Sequence, residues 1–275
     1  LAVTGTSSFT TSASDATITL GTITNAFTGA VTLSTTGSSA NATIDGGTTA
    51  LNFATSTIGG NLTVTSGDSI TDSGVITVGG TTSFTTDTSD KLITLNSQNA
   101  ITGQVTFSTT GTGGDVTLDN GATAISLGTI SSGDIGGDLI LLTDAAQTIS
   151  SAITLSGSGA ALSITVDNGN SLNVQAALTT NAGSITLSAD DDILFTAAGD
   201  LSSTNGTISV TADNDATSDA GSGGALTMAD GTVFNAGSGA ITATSDENLT
   251  LGQMTTTNSS TSAITLNSKS GNILD

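Results

Sequence analysis

The chain has 275 residues and a formal net charge of −21; its only two basic residues are Lys91 and Lys269, set against 23 Asp and Glu. That balance excludes a nucleic-acid surface, which needs a basic footprint, and argues equally against an anionic membrane. Pro, Cys, His, Trp and Tyr are all absent and the only aromatics are seven Phe, so a disulfide framework is excluded and a core built on large side chains is out of reach. Hydrophobic residues at 35% are nevertheless too many for a disordered polar tract.

The first elements in chain order are short runs in which an apolar residue alternates with Thr or Ser, the pattern of a strand with one buried face. Leu62-Thr63-Val64, Val75 to Val78 and Thr82-Ser83-Phe84 are typical, with Gly, Asp and Ser between them. Runs this short cannot each build a core, so they must stack on their own kind. The sequence repeats accordingly. Val3 to Phe9 returns as Val78 to Phe84, Ser14 to Leu20 as Ser89 to Leu95, Asn25 to Gly37 as Asn99 to Gly111, and Asn41 to Phe53 as Asp115 to Leu127. The first superrepeat copy spans 3–77 and the second 78–154, with small insertions confined to the Gly/Ser turns, as when insertions in a coil map to loops. Beyond Leu155 the superrepeat fades while the strand grammar persists through Ile185/Leu187, Ile208/Val210, Leu249/Leu251 and Ile264/Leu266. The stretch from Asp213 to Gly224 is longer and more polar than the other turns and is expected to protrude.

These features predict an all-β chain, a right-handed parallel β-helix (β-solenoid) of about 12 rungs of ~4.8 Å each, running as one continuous segment over residues 1–275. The superrepeat period, about 75 residues, divides into three or four turns of such a coil. Outward Thr suits the pleated strand, paired glycines such as Gly59-Gly60 suit the corners, and the absence of Pro spares the ladder its donors. No polar cap is visible at either end, which is the expectation for a fragment of a longer chain flanked by further repeats.

Little in the chain promises chemistry. Without His or Cys, the usual general base and thiol nucleophile are missing. The best carboxylate cluster, Asp190-Asp191-Asp192, has no Arg or Tyr beside it, so no catalytic residue and no organic cofactor is expected. Structural calcium is the more serious possibility, with oxygen ligands at Asp190 to Asp192, Asp213-Asn214-Asp215, Asp119-Asn120-Gly121 and Asp167-Asn168-Gly169. No calcium β-roll repeat or EF-hand loop is in register, and Asp-Asn-Gly is ordinary turn chemistry, so no metal ligand is assigned. Gly157 to Gly159 and Gly221 to Gly224 are not phosphate loops. Lys91 and Lys269 read as solvated side chains. Thr-x-Thr pairs, such as Thr63/Thr65 and Thr17/Thr19, look too irregular for a flat hydroxyl array. Asn41, Asn61, Asn205 and Asn248 sit in N-x-S/T sequons, which arise by chance in so Thr-rich a chain.

The phrases from Gly59 to Phe84, Gly199 to Asp215, Gly224 to Gly252 and Ser262 to Asp275 resemble the repeat regions of very large bacterial surface proteins of the filamentous haemagglutinin type. The resemblance covers essentially the whole chain as a style of repeat. It implies a right-handed parallel β-helix, export through the outer membrane, an extracellular or cell-surface location, and a role as the shaft or fibre of an adhesin without enzymatic activity. The partners it implies are further repeats of the same chain, lateral copies, and a host or abiotic surface, with neither nucleic acid nor membrane insertion. The alternative is a surface-layer or biofilm-matrix protein assembled through calcium. A lyase-type β-helix enzyme would need a basic or aromatic cleft.

Overall fold

The computed structural model describes residues 1–214 and 223–275. All regular structure among them is β-strand, every strand pairing is parallel, and the chain winds as a parallel β-solenoid of about 12 turns in all. It divides into two compact units: unit 1 comprises residues 1–128 and 133–138, and unit 2 residues 129–132 and 139–275.

In unit 1 each turn over residues 2–119 carries three strands, and most strands pair with their counterpart one turn later, Ala26–Phe27 pairing only backward, with Ala2–Val3. Ala2–Val3, Ser7–Thr10 and Ile18–Leu20 lie against Ala26–Phe27, Val31–Ser34 and Ala42–Asp45 of the following turn. Later turns are shorter. Ala42, the partner of Ile18, pairs onward with Leu62 and Leu62 with Thr82, before Thr82 pairs with Val105 across a turn that is longer again. Alternation explains the core: along Leu62–Ser66 the residues Leu62, Val64 and Ser66 point inward and are buried, while Thr63 is exposed. Stacking in register then builds inward columns, such as Leu20, Ile44, Val64, Phe84 and Phe107. Phe84 is fully buried and its ring lies nearly parallel to that of Phe107, 6.1 Å away. One irregularity marks the change of turn length. Val31–Ser34 pairs with Phe53 at one end and Thr57 at the other, and between them the Leu33 amide donates to the Ser56 hydroxyl at 3.0 Å.

The first superrepeat copy is ten strands long, which at three strands per turn is three and a third turns, not a whole number. Phe9 pairs with Leu33, in a stack of strands that continues through Ser56–Ile58, Ile76–Val78 and Ala100–Ile101. Its repeat mate Phe84 lies in the column of Leu20 and Ile44, on another side of the coil. Each superrepeat copy is thus set a third of a turn round from the one before.

Unit 2 is more even on its long-strand side. Leu139–Thr143, Leu162–Val166, Ile185–Ala189 and Ile208–Ala212 follow one another at a constant interval. One longer step leads to Ile241–Ser245, and a last step of the ordinary length to Ile264–Ser268. The inward column Leu141, Ile164, Leu187, Val210, Ala243 is almost wholly buried, and Phe195 meets Phe234 edge to face at 4.8 Å. The long step contains the polar stretch expected to protrude. It lies between Ala212 and Leu226, and 215–222 of it are outside the described residues.

Candidate functional site

The polar side chains concentrate at the corners, where the chain leaves one strand stack for the next and the backbone ladder is interrupted. A buried amide or carbonyl without a partner is costly, and at these corners a side chain supplies one. Asn99, which is buried, is the fullest case. Its Oδ1 accepts the Ile76 amide at 2.7 Å, and its Nδ2 donates to Asp72 Oδ2 at 2.7 Å and to the Asp119 carbonyl at 3.3 Å. Asn25, its superrepeat mate, donates in the same way to the Asp45 carbonyl. In each copy the Asp then folds its own carboxylate back on a glycine: Asp45 Oδ1 accepts from Gly47 N and Asp119 Oδ1 from Gly121 N. Both glycines have positive φ, at 62° and 51°, and a Cβ at Gly47 would overlap the Asn25 carbonyl oxygen.

Other corners repeat in the same paired fashion. Asp15 and Asp90, with φ of 62° and 61°, accept the Ser39 and Gly113 amides one turn on. Thr35 and Thr109 each donate to a carbonyl further along their own corner, that of Ala40 and of Gly114, and accept from Gly59 and Gly136. Asn41 Oδ1 accepts the Asn61 amide, as Asp115 Oδ1 accepts that of Asp138. The two copies differ by a third of a turn, so these corners are locally equivalent positions on different sides of the coil.

The groups singled out as calcium candidates are used in this way. Asp190 Oδ2 accepts from Gly169 N at 3.4 Å, Asp191 Oδ2 from the Ser171 hydroxyl at 2.7 Å, and Asp192 Oδ1 from Ala225 N at 2.9 Å. Asn120 is buried, with Oδ1 on the Ile101 amide and Nδ2 on carbonyls including that of Ile101. Asn168 takes φ 64° at its turn. Asp215 of the Asp213 to Asp215 group, and Gly221 and Ser222 of the Gly221 to Gly224 stretch, lie outside the described residues. Among the described residues no three acidic groups converge in a metal-holding arrangement.

Both lysines depart from the solvated reading. Lys91 Nζ stands 2.9 Å from Asp68 Oδ1, and Lys269 Nζ 3.3 Å from Asp213 Oδ2. The Lys91 ammonium, donating to Asp68, and then the Ser69 amide hold the Asp68 carboxyl below its usual range.

The Thr-x-Thr pairs are more regular than the sequence suggests. In unit 1 Thr63/Thr65 stand in register with Ser83/Thr85 and Thr106/Ser108. Thr17, by contrast, precedes the strand Ile18–Leu20. In unit 2 Ser163/Thr165, Thr186/Ser188, Ser209/Thr211 and Thr242/Thr244 form two outward rows. Uneven turn lengths hide these rows from the sequence, because the vertical neighbour of Thr63 is Ser83 whereas that of Ser209 is as far on as Thr242. The sequon asparagines 41, 61, 205 and 248 are all exposed, and Asn258-Ser259-Ser260 is a fifth sequon that the sequence reading missed.

A family model described as Repeats of unknown function (DUF5649) matches residues 1–34 and 39–108, all of them in unit 1. Over these residues the chain is similar to that repeat family. No curated protein and no solved structure matches the chain. The likeness fits a repeat protein wound as a β-solenoid.

Proposed function

We propose that the chain is a shaft segment of an exported bacterial surface fibre of the filamentous haemagglutinin type, a spacer that carries an adhesive region away from the cell. The observation that supports this most directly is the use of the polar side chains. Asn25/Asn99, Asp45/Asp119, Asp15/Asp90 and Thr35/Thr109 occupy equivalent corners in two superrepeat copies and spend their donors and acceptors on the coil itself. Polar residues that hold the coil together make the coil itself the product of the sequence. A chain without His, Cys or Arg, and with both lysines engaged by aspartates, suits a structural role better than a catalytic one.

Antibodies raised against the folded chain test the location: they should label intact cells of the producing strain without permeabilisation. Labelling that appears only after permeabilisation overturns the reading. The spacer role is tested by duplicating one whole turn, residues 162–184, which should leave the protein folded and lengthen the reach of a tip-labelled fibre by ~4.8 Å per added turn. Loss of folding, or adhesion abolished by a change that leaves the tip intact, would speak for a specific binding site in this segment.

A further inference from the structure

Three of the four asparagines of the Asn-x-Thr type, Asn41, Asn61 and Asn248, do one job with one end of the carboxamide; the fourth, Asn205, accepts the Ser238 hydroxyl instead. Asn41 Oδ1 accepts the Asn61 amide at 2.8 Å, Asn61 Oδ1 the Thr81 amide at 2.9 Å, and Asn248 Oδ1 the Asn272 amide at 2.9 Å. The fold asks only for an oxygen here. Asp115 fills the equivalent seat in the second superrepeat copy, and Asp192 and Asp200 fill similar ones in unit 2. The amide nitrogen of the asparagines is surplus to that bond. It has no hydrogen-bond acceptor among the described residues, and with the oxygen held by the next turn it is left to the solvent side of an exposed residue.

The residues around it are arranged to match. In each case the following residue, Ala42, Leu62 or Leu249, points into the core, and the Thr two positions on points outward with the asparagine. Acceptor amide and Thr hydroxyl are therefore presented together on one accessible edge. The rest of the chain shows a segregation: every asparagine whose Nδ2 donates a hydrogen bond among the described residues, such as Asn52, Asn99, Asn120, Asn170 and Asn181, lacks a Ser or Thr two residues on. Among the described residues no sequon asparagine has its nitrogen engaged, although a free nitrogen is shared by non-sequon asparagines such as Asn96 and Asn235.

We infer that Asn41, Asn61 and Asn248 are acceptor sites for N-linked sugar, attached by an asparagine glycosyltransferase that reads Asn-x-Thr. The donor class is a sugar activated as a diphosphate ester. Nδ2 attacks the anomeric carbon, the carbon–oxygen bond to the diphosphate breaks with its electron pair, and the nitrogen gives up one proton to the transferase. The amide oxygen remains available to the next turn, so the corner hydrogen bond survives the modification. This inference rests on the corner geometry and is independent of the shaft reading.

The test uses the full chain isolated from the cells that make it. Peptides are mass-measured before and after an amidase that converts glycosylated asparagine to aspartate in heavy-oxygen water. Hexose-type increments at Asn41, Asn61 or Asn248, converted to labelled aspartate, are the expected result, with the Asn99 and Asn120 peptides unmodified. Thr63→Val and Thr250→Val should each remove the increment at their own sequon alone, while a thermal melt confirms folding. Unmodified asparagines at all three seats overturn the inference, as does modification that persists in the Thr→Val variants.

Discussion

Unit 1 retains the sequence repeat and has uneven turns; the long-strand side of unit 2, which has lost the repeat beyond Leu155, is the more even of the two. In unit 1 the strands of one stack begin at Ile18, Ala42, Leu62, Thr82 and Val105, intervals that shorten and then lengthen again. In unit 2 they begin at Leu139, Leu162, Ile185, Ile208, Ile241 and Ile264, a constant interval with a single longer step. Sequence period and structural period are therefore different quantities. The first superrepeat copy records a set of ten strands with their particular corners, whereas the coil needs only three strands per turn and an inward residue at every second position. Turn length can drift wherever a corner absorbs the difference, and it is regular in unit 2 without help from repetition.

The comparison is broken most severely by attacking the inward columns. Phe84→Ala in unit 1 removes a fully buried ring that faces Phe107, and Phe195→Ala does the same against Phe234 in unit 2. Each should cost about 3–5 kcal/mol in urea unfolding. Hydrogen exchange should locate the loss of protection in the unit that carries the substitution. Equal costs would mean that both columns are packed alike despite their different turn lengths; a much smaller cost for Phe84 would mean that the uneven turns of unit 1 collapse more readily around a void.

Corners come next. Unit 1 buries the carboxamide of Asn99, with three hydrogen bonds, whereas unit 2 uses hydroxyls such as Ser203, which donates to the Gly183 carbonyl and accepts from Gly206 N, both at 2.8 Å. Asn99→Leu strands the Ile76 amide and should cost about 2–3 kcal/mol, and Ser203→Ala about 1–2 kcal/mol. Denaturant midpoints for the two variants measure the difference. If Ser203→Ala costs as much as Asn99→Leu, the carboxamide corners are no stronger than the hydroxyl ones.

The single long step of unit 2 offers a milder test. The turn before it crosses the same corner with Asp190-Asp191-Asp192 between Ala189 and Ile193. Replacing residues 213–225 by such an Asp-Asp-Asp corner restores the ordinary step of this unit. Loop closure alone predicts a gain of roughly 1 kcal/mol, since the cost grows only with the logarithm of length. A loss of stability would show that the stretch supports the coil through contacts of its own.

These particulars also separate what could be read in the sequence from what could not. Strand alternation is a local signal, and Leu62/Val64, Ile185/Leu187 and Ile208/Val210 are inward as their spacing implies. Parallel stacking follows from runs too short to stand alone. What stays hidden depends on partners one turn away at a variable distance in sequence. Asn25 and Asn99 look like turn residues until Asp45 and Asp119 are found above them. Asp119-Asn120-Gly121 reads equally as a turn or a calcium ligand until both ends of the Asn120 carboxamide are seen to be bound. The third-of-a-turn offset is invisible for the same reason: repetition of the text gives only a length of chain, and it takes the pairings to divide that length into ten strands.

The smallest effect concerns the two cations, one in each unit. Lys91 reaches back one turn to Asp68, and Lys269 reaches Asp213 at the edge of the long step. Both pairs are partly exposed, so each should contribute only about 0.2–1 kcal/mol, less in high salt. Their pH dependence has a definite sign for Asp68. Its pKa is lowered in the folded state by the Lys91 hydrogen bond and then by the Ser69 amide, so the unfolded chain binds the proton more readily. The contribution is therefore fully present above the unfolded carboxylate value of about 4 and disappears as the pH falls through the folded value below it. Lys91→Met should flatten the stability profile of unit 1 on that acidic flank and change little at neutral pH. A profile of unchanged slope would mean that the Ser69 amide holds the carboxylate without the lysine, leaving Asp68 another backbone acceptor like the aspartates at the corners.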